Sequence, residues 1–133
     1  MDSLIKIFVY GTLKPNYANY NLYCRGQTIS KIPAYTYGSL YLLPGLGYPA
    51  LSEGTGMVQG YLFFFDNADI LKDLDILEDY QSDRNESENE YQRKLIEVYK
   101  QENEKTEKAW TYLMKLEKIK SYGGIPIESG NFN

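Results

Sequence analysis

Residues 5 to 13, IKIFVYGTL, constrain the fold more than any other stretch. Ile5, Ile7 and Val9 alternate with Lys6, Phe8 and Tyr10, which is the period of a strand with a Phe and a Tyr on its second face. A run this rich in Val, Ile and Phe fits a central strand. Gly11 ends it. Glycine accepts φ > 0 and leaves room for a group to approach the backbone. Such a turn can aim several N–H groups into one concavity, which suits a carboxylate. The plainer alternative is a strand followed by an ordinary turn.

The other elements follow in order. Residues 16 to 24 read as a short helix or an ordered loop, and residues 27 to 42 as two strands or one bent strand. Pro33 belongs at an edge or a break, and Gly38 marks a bulge or a close contact. PGLGYP at 44 to 49 is a loop. Residues 57 to 65 form a strand in which Gly60 is a second candidate bulge or barrel corner. Asp66 and Asn67 then cap a helix that runs to about Leu77 or Glu78. DYQSDRNESENE is expected to be an exposed, mobile acidic loop. Strands are expected over 91 to 100 and 107 to 116, followed by an irregular surface tail from 121. Strands, one helix, then strands is not the alternation of a doubly wound sheet. The expected fold is α+β: a small mixed, mostly antiparallel β-barrel with one or two packed helices. It forms a single domain over 1–133 with its core at 4–116.

Composition narrows the chemistry. The 133 residues suffice for one core, and fourteen tyrosines suit short strands that bury a ring and wet a hydroxyl. A net charge of −4 argues against nucleic acid, which needs a basic face. The lone Cys24 forms no intramolecular disulfide and fits a reducing cytosol. There is no histidine, which removes Ser-His-Asp, Cys-His and HExxH chemistry together. A proton carrier here must be a carboxylate, a lysine or a tyrosine. The N-terminus does not read as a signal peptide, and the apolar runs are too short for a membrane helix. A cytoplasmic protein without membrane or nucleic-acid partners is therefore expected.

One carboxylate is oddly placed. On the helix ADILKDLDILEDY, Ile70, Leu71, Leu74 and Leu77 share a face. Glu78 follows Leu74 by four and Leu71 by seven, so it projects onto that apolar stripe. Burial would raise its proton affinity toward the range of acid–base work. If the helix ends earlier, Glu78 simply turns to solvent, and periodicity leaves both readings open. Asp75 lies at the edge of the stripe. Asp73, Asp75 and Asp79 read as a solvated face rather than a metal site.

Taken together, VYGTLK at 9 to 14, GSLYLLPGLGYPAL at 38 to 51, VQGYLFFF at 58 to 65, LDILEDY at 74 to 80 and YQRKLIEVY at 91 to 99 resemble the γ-glutamylcyclotransferase superfamily. The likeness is to its AIG2-like and γ-glutamylamine cyclotransferase branch. The resemblance implies a small mixed barrel with flanking helices. It implies an enzyme that cyclises a γ-glutamyl amine or γ-glutamyl amino acid to 5-oxoproline and frees the amine. By the same resemblance, Tyr10, Gly11, Thr12 and Leu13 hold the substrate's α-carboxylate and amine through main-chain groups. The Glu of the LDxxE element, the general acid/base, falls on Glu78. No cofactor or metal is implied, and the partner is a small γ-glutamyl substrate. Many relatives carry Gly after that Glu, where this chain has Asp79. Trp110 and Tyr112 are candidates for the pocket wall or for the core. The competing functions are a binding or regulatory module without turnover, and a cyclotransferase acting on a biosynthetic γ-glutamyl intermediate.

Overall fold

The computed structural model describes residues 4–11, 13, 14, 19, 20, 24 and 28–132. Strand β1 (Ile5–Val9) pairs antiparallel with β3 (Tyr48–Phe65) and parallel with β5 (Thr106–Leu113), where Ile7 faces Trp110. β5 pairs antiparallel with β4 (Gln92–Lys100), β4 with β2 (Thr28–Leu43), and β2 with β3. The five strands thus close on themselves, and the only parallel pair is β1–β5 among the described residues.

Closure explains the composition of β1, because both of its faces are covered. Ile7 and Val9 pack with Phe63, Phe65 and helix residues Ile70 and Leu74. Phe8 and Tyr10 point the other way, into a cluster with Leu40, Leu51, Leu62 and Val98. Helix α1 (Asp69–Leu77) therefore caps the barrel over the first face. The Asn67 side chain accepts the N–H of Asp69 at 2.9 Å just before the helix begins.

The strand expected at 57–65 starts earlier, at Tyr48, and the stretch expected at 27–42 is one bent strand rather than two. Residues 28–43 form one continuous strand whose register slips between Gly38 and Ser39, so the bulge falls at the glycine. A turn at 44–47, with Gly47 at φ +74°, replaces the wider loop, and β3 resumes at Tyr48. At Gly60 the register is unbroken, opposite Ala34. That glycine serves close approach: a Cβ there would lie 2.1 Å from the carbonyl oxygen of Val9. Pro33 sits within β2, opposite Tyr61.

Three expectations need correction. The last strand ends at Leu113, and the chain forms helix α2 (Leu116–Ser121), with Ile119 buried. Gly123 at φ +71° and Gly124 close it, their N–H groups bonding Lys120 and Ile119 carbonyls. The tail is not irregular throughout, since β6 (Ile125–Pro126) pairs with Tyr41 and Leu42 of β2 and Phe132 is buried in the core. The acidic loop is pinned rather than loose. Asn89 is buried, accepts the N–H of Gln81 at 3.0 Å, donates to Gln92, and receives the Arg84 guanidinium. The reading of 16 to 24 falls mostly outside the described residues. No described helix is long and apolar enough to cross a membrane.

Candidate active site

A cavity of about 350 Å³ opens where β1 ends. Tyr10, Gly11 and Leu13 line it from the turn, Tyr48 and Pro49 from the start of β3, and Glu78 from the end of α1. Glu90, Tyr91 and Tyr112 complete its wall. The turn is tight, with the N–H of Lys14 donating to the Gly11 carbonyl at 3.0 Å. Of the four residues expected in the substrate loop, Tyr10, Gly11 and Leu13 border the cavity, and Thr12 lies outside the described residues.

Of the two reasons expected for Gly11, positive φ and a close approach to the backbone, the second holds, and the group that approaches is Pro49. The φ of Gly11 is not positive, unlike those of Gly47, Gly123 and Gly130. The constraint is space, because a Cβ would stand 2.8 Å from Cγ and 3.1 Å from Cδ of Pro49. The two sequence segments VYGTL and YPAL thus meet at this contact.

Glu78 is the C-cap of α1, and its N–H donates to the Leu74 carbonyl at 2.9 Å. Its side chain is only partly exposed and turns into the cavity rather than away to solvent. Among the described residues its carboxylate has no hydrogen-bond or ion-pair partner. Burial, and then the charge of Glu90, raise its pKa from 4.5 to about 7. The negative end of the α1 dipole acts in the same direction, and the last turn holds no basic residue to offset it.

The next residue accounts for the departure at Asp79. It takes φ +54°, its N–H bonds the Ile76 carbonyl, and the N–H of Tyr80 bonds the Asp75 carbonyl at 2.9 Å. This left-handed helix terminus favours glycine. Asp79 occupies it with its carboxylate paired to Arg84 at 2.8 Å.

Asp75 does not border the cavity. It accepts the Tyr112 hydroxyl at 2.7 Å and pairs with Arg93 at 3.0 Å. Arg93 lies 4.9 Å from the ring of Trp110. Trp110 therefore belongs to this network, whereas Tyr112 joins the network to the cavity wall. Tyr48, Pro49, Glu90 and Tyr91 were not picked out as site residues. The signal was present for three of them, since Tyr48 and Pro49 belong to the segment ending YPAL and Tyr91 opens YQRKLIEVY. Tyr91 donates its hydroxyl to the Pro49 carbonyl at 2.7 Å and so braces the residue that abuts Gly11.

Comparison with known proteins fits this geometry. The sequence model of the family described as gamma-glutamyl cyclotransferase, AIG2-like, matches residues 7–133. The chain belongs to this family. No curated protein matches the sequence significantly. The fold is similar to that of an AIG2-like protein from Mus musculus, at 22% identity and TM-score 0.76, covering 99% of this chain and 90% of that one. It is similar to YkqA from Bacillus subtilis at 24% identity and TM-score 0.65, covering 99% of this chain and 40% of that one. A protein from Arabidopsis thaliana aligns at 26% identity and TM-score 0.65, covering 100% of this chain and 72% of that one.

Proposed function

We propose that this cyclotransferase-family protein closes the γ-glutamyl group of a small amide into 5-oxoproline and releases the amine. Glu78 serves as general acid and base. The observation that carries the reading is a carboxylate without a partner among the described residues, raised to a pKa of about 7, bordering the same cavity as Tyr10, Gly11 and Leu13.

The substrate's α-amine reaches the site as an ammonium. A carboxylate with proton affinity near neutrality can take one proton and return it later. The freed amine attacks the γ-carbonyl carbon, the bond from carbon to the leaving nitrogen breaks, and the lactam keeps one hydrogen on its nitrogen. The other two protons of the starting ammonium end on the leaving nitrogen, which departs as an ammonium. No water is consumed. The nucleophile is part of the substrate, so a cavity that bends the chain into a ring supplies the orientation. Main-chain N–H groups of the turn are suited to the substrate's α-carboxylate and to the oxyanion as it forms.

The test is 5-oxoproline release from a panel of γ-glutamyl amines, γ-glutamyl dipeptides and glutathione. Release from at least one is expected. Binding of several with release from none would overturn the enzymatic reading in favour of a binding module.

A further inference from the structure

The turn at the end of β1 is held from two sides. On one side Gly11 abuts Pro49. On the other stands Lys14, whose N–H closes the turn on the Gly11 carbonyl at 3.0 Å and which is only 7% exposed. A buried ammonium is costly unless acceptors meet it. Two acceptors come from a distant part of the chain. Nζ of Lys14 donates to Asn131 Oδ1 at 3.1 Å and to the Phe132 carbonyl. It also lies 6.0 Å from the centre of the Phe132 ring. Lys14 does not border the cavity, so its ammonium is not placed to touch substrate.

The segment that supplies those acceptors is itself fixed to the barrel. Ile125 and Pro126 pair with Leu42 and Tyr41, and the N–H of Ile127 donates to the Leu40 carbonyl at 2.8 Å. The chain then crosses from β2 to β3, where the Gly130 carbonyl accepts the N–H of Gln59 at 2.7 Å. Phe132 is buried in the cluster that contains Phe8 and Tyr10, and Tyr10 lines the cavity. Residues 125–132 thus form a strap across two strands, and the strap ends on the turn. Burial of the Phe132 ring would be enough to hold the strap down. The buried ammonium adds direction, because a charge-assisted hydrogen bond fixes where Lys14 stands relative to β2 and β3.

We propose that Lys14 is a positioning residue for the cyclisation: its bonds to Asn131 and Phe132 set the turn, so that the turn's main-chain N–H groups meet the substrate's α-carboxylate and the oxyanion. The proposal rests on the cyclotransferase reading. Main-chain donors act only where they are aimed, and a displacement of about 1 Å can cost 10²-fold.

The experiment measures binding of 5-oxoproline and of 5-oxoprolinamide, its carboxamide, by NMR titration. It also measures 5-oxoproline release from the panel conjugate that wild type turns over best. Wild type should bind the acid more tightly than the carboxamide. Lys14→Met nearly keeps the length of the side chain and removes its charge. Its Kd for 5-oxoproline should rise roughly 10-fold, the scale of one charged hydrogen bond, and kcat should fall by a similar factor. Binding of the carboxamide should change by less than about 3-fold. Asn131→Ala leaves the ammonium in place and should move Kd and kcat in the same directions by roughly 3-fold. The double variant should be no worse than Lys14→Met alone, since both changes act through one contact. Circular dichroism checks folding, and Asn131→Ala carries the test by itself if Lys14→Met does not fold. A folded Lys14→Met with wild-type Kd and kcat overturns the proposal. So does an equal loss for acid and carboxamide, which marks a general loosening of the cavity, or a wild type that does not favour the acid. A loss that Asn131→Ala does not share marks an effect of charge alone and overturns it as well. No 5-oxoproline from any conjugate overturns the cyclotransferase reading and this proposal with it.

Discussion

Replacing Glu78 by Gln tests the site on two axes at once. The amide keeps nearly the shape of the acid, so packing at the end of α1 is preserved. The folded protein binds the Glu78 proton more tightly than the unfolded chain does, about 7 against 4.5. Stability therefore falls as pH rises through that interval and is level above it. At about 1.4 kcal/mol per pH unit, the wild type carries a penalty of about 3 kcal/mol above neutrality and almost none near pH 4. The Gln variant escapes it. Its thermal midpoint should match wild type at about pH 4 and exceed it by on the order of 10 °C at about pH 8. Turnover should fall by roughly 10²-fold or more, the scale for loss of a general base. Wild-type kcat/KM should rise with pH through about 7 as the base ionises. The measurements are calorimetry and 5-oxoproline release on the same two preparations. A stability difference that does not change with pH would mean that the Glu78 carboxyl is not desolvated. Undiminished turnover in the variant would remove it as the base.

Four further substitutions, at three positions, probe the frame around the site. Gly11→Ala places a Cβ 2.8 Å from Pro49 and should cost about 1–3 kcal/mol, with a raised KM, read by denaturant unfolding and kinetics. Gly60→Ala sets a Cβ 2.1 Å from the Val9 carbonyl oxygen, a clash with backbone that cannot swing aside. It should cost at least about 3 kcal/mol or abolish folding, as circular dichroism and urea unfolding would show. Asp79→Gly should stay within about 0.5 kcal/mol of wild type, because relief of the left-handed backbone offsets the exposed Arg84 pair. Asp79→Val should cost about 1–3 kcal/mol, since a β-branched residue is strained there.

Much of this was legible in the residues because the signals were local. The alternation in IKIFV needs only a strand covered on both faces, and the closed barrel supplies that cover. Glu78 was visible as a charge on an apolar stripe, although periodicity alone did not decide where the helix stopped. What decided it is the left-handed turn at Asp79, and Asp is a weaker stop signal than Gly. Helix α2 was missed because its six residues are too few to show a period, yet the Gly123-Gly124 pair was a usable stop signal. Composition misled at the acidic loop. Its order comes from the single buried side chain of Asn89, whose partners lie three to eight residues away, and no compositional rule weighs one amide. The need for glycine at 11 was evident, but the group that approaches it was not. Pro49 is distant in sequence and adjacent only in the closed barrel.

Asp75 and Glu78 stand three residues apart on α1, and their different surroundings explain how the proposed base, Glu78, is held still without being used up. Arg93 and Tyr112 face each other across β4 and β5. Asp75 accepts from both, at 3.0 and 2.7 Å, so one carboxylate ties the helix to two strands of the barrel. Burial, the larger effect, leaves the proton affinity of Asp75 raised, and the Tyr112 and Arg93 bonds offset part of that rise by favouring its ionised form. Glu78 needs no such bond. Its position is fixed through the backbone by the Leu74 carbonyl below it and by the turn at Asp79 and Tyr80 above it. A partner on its own carboxylate would lower its proton affinity and occupy the lone pairs that a substrate ammonium requires. On the proposed reading, the anchoring charge and the reactive charge are therefore separate residues, less than one helical turn apart.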